Sequence, residues 1–252
     1  AWGVPVPMRG FYNKVFYVWF DAPIGYISST KEWAERNYKD WKQFWTGDSK
    51  VVHFVGKDNI PFHTVWWGGM LMANGEYNLP YLIAGLQFVN YEGEKISKSK
   101  NVGVFCEKIT ESGISSDVWR FYMTELIPEN KDSEWKWDEF KDKVNSRLIG
   151  NLGNFIHRTT SFAHKYFDSI VPPMSQITFD DSNILSIDYE SVWKLAHDIQ
   201  LRSALDNIFD ISSLGNKYFQ INKPWVLIKE SKERCGTVIN ICLNLCKNLG
   251  IL

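Results

Sequence analysis

Apolar and polar positions follow two rhythms along the chain. Residues 15–20 form an unbroken apolar, largely aromatic run, which reads as a buried strand of the kind found in parallel sheets. It leads into Asp21-Ala22-Pro23-Ile24-Gly25-Tyr26, a segment rich in turn formers. Trp33, Asn37, Trp41 and Trp45 then recur every fourth residue, as in a helix. Residues 51–56 are a second apolar strand, followed by the polar Lys57-Asp58-Asn59 and a buried helix over 62–74 that stops at Asn74-Gly75. Residues 81–84 are a third strand. Strand, polar loop, helix, strand is the grammar of an open parallel sheet. Ligands of such sheets lie at the carboxyl ends of strands, where Asp21 and Asp58 are expected.

Beyond residue 87 the pattern changes. Residues 87–101 read as a hairpin carrying a dense basic loop, and a helix begins near 116 with Ser116 or Asp117 as its cap. Residues 138–166 form a long amphipathic helix with Val144, Leu148, Leu152, Phe155, Ile156 and Phe162 inward, broken by Val171-Pro172-Pro173. Three further helices are expected around 189–218, 224–229 and 233–249. The fold class is therefore α/β with a parallel sheet, followed by an all-α helical bundle, with the border near 130–138.

Composition narrows this only modestly. The 252 residues suit one large domain or two ordinary ones, and 44% hydrophobic with 23% charged residues is ordinary for a soluble globular chain. Neither repeats nor low-complexity tracts occur. The net charge of -1 argues against gross non-specific binding of polynucleotides, so any RNA reader here must use a local patch. DNA is not expected as a partner. Cys106, Cys235, Cys242 and Cys246 form no CxxC knuckle and no Cys/His cluster, so no zinc site is expected. They read as reduced thiols of a cytoplasmic protein. No signal peptide and no membrane-length apolar run is visible. Both ends look cut, and the chain reads as a fragment. Twelve tryptophans are unusual; most must be core, although the side chain also suits stacking on bases.

Two constellations could carry chemistry. Lys95-Ile96-Ser97-Lys98-Ser99-Lys100 alternates lysines with small hydroxylated residues. Such a loop is either a solvated basic turn or a cradle that neutralises charge building on phosphate oxygens. In the helical part, Asn154 and Arg158 project from one helix face, and Pro224-Trp225 opens a later helix with Asn222 as a possible cap. An amide, a guanidinium and an indole suit an unstacked RNA base read by edge and face, but Asn154 and Arg158 also read as ordinary helix surface.

The lysine-serine loop resembles the KMSKS signature of class I aminoacyl-tRNA synthetases, with Ile96 in place of Met. Residues 16–26 resemble a stretch of the methionyl family, as do Gly56-Lys57-Asp58-Asn59-Ile60-Pro61-Phe62-His63 and Asp117-Val118-Trp119-Arg120-Phe121-Tyr122. The resemblance covers essentially the whole chain. It implies the second half of a Rossmann-type nucleotide fold over 1–92, a KMSKS and connective region over 93–137, and a helical anticodon-binding domain over 138–252. It implies that Lys95, Ser97, Lys98 and Ser99 meet ATP, with Lys95 and Lys98 catalytic. Methionine would be bound by Trp19, Ala22, Pro23, Tyr26, Asp58, Asn59, His63 and Trp67, with Trp67 a wall on the same helix face as His63. The Tyr26 hydroxyl can donate weakly to a thioether. Asn59 stands where some members carry an aliphatic residue. By residue type alone, Trp19 reads as core and His63 as a satisfied buried histidine. The methionyl family reads a CAU anticodon with Asn, Arg and Trp, here Asn154, Arg158 and Trp225. The Asp117–Arg120 pair would brace a domain junction.

The implied activity is methionine–tRNA ligation: methionine is activated by ATP, with Mg2+ as co-substrate, and transferred to tRNA(Met). The implied partners are methionine, ATP and tRNA(Met), with no membrane. The family's HIGH-type motif is absent, since no HxGH arrangement occurs among the five histidines. The isolated chain is therefore expected to lack half of the ATP site. Two other readings stay open: a class I synthetase for another amino acid, and a non-catalytic tRNA-binding module of the same fold.

Overall fold

The computed structural model describes residues 2–252. They form two compact units: residues up to Phe88 with Pro128–Asp132, and Val89–Ile127 with Ser133–Leu252.

In the first unit the run at 15–20 is not a strand. Val15 forms only an isolated bridge to Pro5, and the chain then turns helical in α1, Val18–Asp21. A continuous apolar run cannot distinguish helix from strand by periodicity. Aromatic spacing decides here: Phe16 stacks on Phe20, four residues away, at 4.4 Å. Asp21 consequently ends a helical turn and not a strand. Helix α2, Ile24–Arg36, follows. It stops before Asn37 because Tyr38 takes a left-handed conformation at φ 53° and Lys39 N–H closes the turn on Ala34 O. The fourfold tryptophan spacing thus crosses a helix end, and residues 42–44 make a separate 3₁₀ turn.

Strands β1, Val51–Gly56, and β2, Pro80–Leu86, pair in parallel with Val52 opposite Leu82 and Gly56 opposite Leu86. Between them the helix over 62–74 has two parts. Phe62–Trp67 is π-helical, and α3, Gly68–Asn74, is regular and closes at Gly75 with φ 78°. Trp45, Trp67 and Leu71 form the core of this unit.

In the second unit β3, Val89–Tyr91, lies between antiparallel β4, Glu94–Lys95, and parallel β5, Ser133–Trp135. Helix α4 spans Cys106–Ile109 and α5 spans Ser116–Leu126. The α5 cap is Ser115, whose side chain accepts from Asp117 N–H, one residue earlier than expected. Trp119, Tyr122, Trp135, Phe140 and Phe209 form an aromatic core joining the small sheet to the helices. The long helix runs from α6, Trp137–Lys143, through a π-helical stretch at Val144–Gly153 into α7, Asn154–Phe167.

Four expected or new helical segments follow before the last helix: α8, Phe179–Leu185, α9, Glu190–His197, α10, Leu201–Asn222, and α11, Pro224–Glu230. Helix α12, Lys232–Leu249, closes the bundle. The single helix expected over 189–218 is therefore two, broken at Ile199 with φ 60°. Helix α8 was not anticipated, although Thr178 and Asp181 form a capping box readable in the sequence. Phe155, Ala163, Ile211, Phe219, Val238, Cys242 and Leu245 lie in the helical core.

Three helices are also tied by charge. Buried Glu125 on α5 receives Lys143 and Arg147, and Arg147 also reaches Asp206 on α10 at 2.8 Å. Burial makes this pair consequential, since removing one partner strands the other charge out of water. By contrast Asp117 and Arg120 pair with each other on the exposed surface of α5. Exposed pairs of that kind contribute about 0–1 kcal/mol.

Candidate functional site

The first cluster lies at the entry to α2. Backbone angles stay helical from Val18 through Ala22 and Pro23 into α2. Trp19, Ala22, Pro23 and Tyr26 therefore fall at helical i, i+3, i+4 and i+7 positions, along one face. A strand would have split them between two faces. Trp19 stacks on Phe62 at 4.3 Å with planes 10° apart, and its ring meets His63 edge-on at 5.9 Å. Pro23 is fully buried, whereas Ala22 and Tyr26 are exposed.

His63 is 1% exposed and uses both ring nitrogens: Nδ1 lies 2.9 Å from Asn59 O and Nε2 lies 2.9 Å from Tyr26 Oη. A carbonyl can only accept, so Nδ1 carries the proton of the neutral ring and Nε2 accepts from the Tyr26 hydroxyl. That hydroxyl's proton is engaged, which removes it as a donor to a thioether. Asn59 acts through its main-chain carbonyl. A contact of that kind does not depend on side-chain identity, which accounts for the tolerance of different residues expected at this position. Asp58 is exposed in the 3₁₀ turn just past β1, at the carboxyl end of that strand.

Trp67 turns into the core of this unit. It is 2% exposed and packs edge-on against Trp45 at 6.3 Å. The residue that does face the cluster, and that sequence reasoning missed, is His53 on β1. It is buried, its ring lies 5.2 Å from His63 and 5.3 Å from Tyr26, and its Nε2 has no protein hydrogen-bond partner. Burial, reinforced by neighbouring His63, lowers its pKa below the ordinary histidine value. The alternation of β1, with His53 and Val55 inward and Phe54 outward, was the available signal.

The second cluster is the basic hairpin. Lys95 ends β4 opposite Asn90, and Ser97 pairs with Val102 through two main-chain bonds of 2.9 and 3.0 Å. Those bonds close a turn on which Lys98, Ser99 and Lys100 are all exposed. The Ser97 and Ser99 hydroxyls are 3.2 Å apart. Gly103 has φ 136°, and a Cβ there would sit 3.1 Å from Ile96, so Ile96 and Gly103 pack tightly across the base of the turn. An apolar residue between two lysines is thereby explained. The result is a hydrogen-bonded stem with exposed ammonium groups at its tip.

The third cluster is on the helices. Arg158 stacks its guanidinium over Phe219 at 4.6 Å, and Phe219 lies 6.3 Å from Trp225. Asn154 lies one turn from Arg158 on α7. Each is met by an amide of α10 at the same spacing: Asn154 Nδ2 donates to Asn216 Oδ1 at 3.3 Å, and Arg158 Nη2 to Gln220 Oε1 at 3.1 Å. Trp225 opens α11, directly after Lys223 with φ 45° and buried Pro224. Asn222 caps nothing at this helix start; its side chain donates to Tyr218 O and accepts from Arg234. Phe219, Asn216 and Gln220 were missed by sequence reasoning, although the repeat of the fourfold amide spacing was visible.

Among the described residues no three His, Cys, Asp or Glu side chains converge as a metal site, and no helix is long and apolar enough to cross a membrane.

A parallel-sheet unit with an aromatic and histidine cluster beyond a strand end, continued by a helical unit that carries a basic hairpin, defines a nucleotide-type α/β fold joined to a helical recognition domain. Residues 1–160 match the family described as tRNA synthetases class I (M), and residues 183–252 match the anticodon binding domain of methionyl tRNA ligase. The chain belongs to the class I tRNA synthetases (M). It is 41% identical over 270 residues to the methionine–tRNA ligase of Pyrococcus furiosus, and 43% identical over 258 residues to that of Christiangramia forsetii. Each alignment covers 100% of this chain and 37% of the relative, so the chain spans little more than a third of their length. The crystal structure of Mycobacterium tuberculosis methionyl-tRNA synthetase bound by methionyl-adenylate superposes with a TM-score of 0.82 at 26% identity, over 99% of this chain and 49% of that one.

Proposed function

We propose that this chain carries part of the methionine-activating machinery and the anticodon-reading face of a cytoplasmic methionine–tRNA ligase. In that reaction the methionine carboxylate attacks the α-phosphate of ATP, giving methionyl-adenylate and pyrophosphate. A ribose hydroxyl at the tRNA 3′ end then takes the methionyl group. Both nucleophiles come from substrates, so the side chains position and stabilise. Residues 1–92 supply the amino-acid side, 93–137 the hairpin and its connections, and 138–252 the anticodon face.

Lys95 and Lys98 would neutralise charge on the phosphates of ATP, which enters as its Mg2+ complex, and Ser97 and Ser99 would hydrogen-bond them. Trp19, Ala22, Pro23, Tyr26, Asn59 and His63 would surround methionine, with Trp19 offering an aromatic face to sulfur. Asp58 would supply a negative charge for the substrate's ammonium group. Trp67 would support this wall from the core.

The observation that supports the reading is that Arg158 and Trp225 both pack against Phe219, with Asn154 one helical turn from Arg158. An aromatic platform beside edge-reading polar groups is how single-stranded RNA bases are recognised. The test is a fluorescence titration of the chain with an RNA hairpin bearing a CAU loop, beside the same hairpin with an altered anticodon. Selective binding of CAU is expected, weakened by about 1–3 kcal/mol in Trp225→Ala, the usual worth of base stacking. Equal affinity for both hairpins, unchanged by Trp225→Ala, would remove this face from tRNA recognition.

A further inference from the structure

Resting on the anticodon reading above, we infer that Asn216 is a positioning residue. It locks the side-chain amide of Asn154 with its oxygen outward, so that the face accepts a base edge with an amino group beside a ring-nitrogen acceptor and rejects one with a carbonyl beside a ring N–H.

The orientation of each amide follows from a chain of hydrogen bonds that starts at a main-chain carbonyl. Asn151 Nδ2 faces Phe209 O at 3.3 Å and Ser213 Oγ at 2.8 Å. A carbonyl cannot donate, so the nitrogen of Asn151 must point there and its oxygen must point the other way. That oxygen accepts from Ser212 Oγ at 3.0 Å and from Asn216 Nδ2 at 3.1 Å. Asn216 Nδ2 is fixed independently, because it also faces two main-chain carbonyls, Asn151 O at 3.0 Å and Ser212 O at 3.3 Å. Asn216 Oδ1 is therefore an acceptor with only one possible orientation. It meets Asn154, which must present its Nδ2. The Asn154 oxygen is left as the outward group of an exposed side chain.

Ser212 is fully buried, and Asn151 and Asn216 are shielded, so reversing either amide would set carbonyl against carbonyl away from water. Only Asn154, at the exposed end, would be free to turn over without its neighbour. Arg158 next to it donates in any orientation, and Gln220 and Phe219 hold it in place.

An acceptor beside a donor is the complement of an amino group beside a ring-nitrogen acceptor. Cytosine and adenine offer that edge. Uracil and guanine offer the reverse, a carbonyl beside a ring N–H. A freely rotating Asn154 could serve either kind; a locked one serves only the first.

The test uses this chain and three hairpins, with CAU, UAU and CGU loops. The unmodified protein should prefer CAU over at least one of the keto-substituted loops. Asn216→Ala should lower that preference by about tenfold, the worth of a lost base discrimination. It should do so mainly by improving binding of the keto loop. The double variant Asn216→Ala/Asn154→Asp should regain the preference, because a carboxylate presents an acceptor whichever way it turns. A role of Asn216 in packing alone would not produce that rescue.

A second measurement needs no variant. In the unmodified protein the Asn154 side-chain N–H that faces Asn216 should hold its position when CAU RNA is added, since that proton is already committed to Asn216 Oδ1. Retention of full selectivity in Asn216→Ala, failure of the double variant to restore it, or a large shift of the Asn216-facing Asn154 N–H signal on binding would overturn the inference. If the unmodified protein binds all three hairpins alike, the anticodon reading itself fails and this inference with it.

Discussion

Both terminal nitrogens of Arg234 meet both carboxylate oxygens of Asp181, at 2.5 and 2.9 Å, inside the helical unit. Asp181 is fully buried at the start of α8, and it also accepts from Tyr218 Oη at 2.5 Å and Thr178 N at 2.8 Å. Arg234 extends the contact to Asn222 Oδ1 at 3.0 Å, at the end of α10, two residues before the Pro224-Trp225 turn. One carboxylate thus joins α8, α10 and α12 and steadies the segment that presents Trp225.

This pair gives a pH dependence with a definite sign. Burial alone would raise the pKa of Asp181, but the Arg234 pair, Thr178 N–H and the Tyr218 hydroxyl outweigh it and hold the group at about 2, below the ordinary 3.8. A carboxyl whose folded pKa is depressed stabilises the fold above its unfolded pKa and loses that contribution as pH falls toward the folded value. Unfolding free energy should therefore drop by roughly 2 kcal/mol between pH 5 and pH 2 on account of this group. Urea titrations across that range measure it. Asp181→Asn should be less stable near neutrality by roughly 2 kcal/mol, the contribution of the charged pair, since Arg234 is only partly buried and keeps Asn222 as a partner, and should lack this component of the acid loss. An unchanged acid profile in the variant would assign the dependence to other groups.

Gly215 on α10 makes a second, independent prediction. A Cβ at this position would lie 2.6 Å from the Phe155 ring and 2.8 Å from Leu245. Both neighbours are core residues of the helical bundle. Replacing glycine within a helix normally gains about 1 kcal/mol. Overpacking costs about 1–3 kcal/mol and should win here. Gly215→Ala should lower the urea midpoint; a raised midpoint would mean that α7 and α12 can give way.

Lys98 sits at the exposed tip of the hairpin. In the full ligase, Lys98→Ala should slow methionine-dependent pyrophosphate exchange far more than it weakens methionine binding, because the charge matters where negative charge develops. Loss of one such group corresponds to about 3 kcal/mol in the barrier. Equal losses in rate and in methionine affinity would show that Lys98 acts on the ground state.

Sequence by itself determined the order of the parts. The β1–helix–β2 unit, the basic hairpin and the following helices are local in origin, each written in a hydrophobic period, a turn signal or a cap. The spacing of Asn154 and Arg158 on one helix, and the polar turn after β1 that holds Asp58, were legible for the same reason. Tertiary structure decided what those signals leave degenerate. The aromatic run at 15–20 satisfies helix and strand alike, and it turns helical only from Val18, where Phe20 stacks on Phe16 and Trp19 on Phe62. Trp67 packs inward onto Trp45, a neighbour that its spacing from His63 does not reveal. His53, Asn216, Gln220 and Phe219 joined their clusters from elements distant in sequence. Whether a buried polar group finds a partner, and which end of an amide faces outward, depends on such neighbours; the sequence period of a single element carries no record of them.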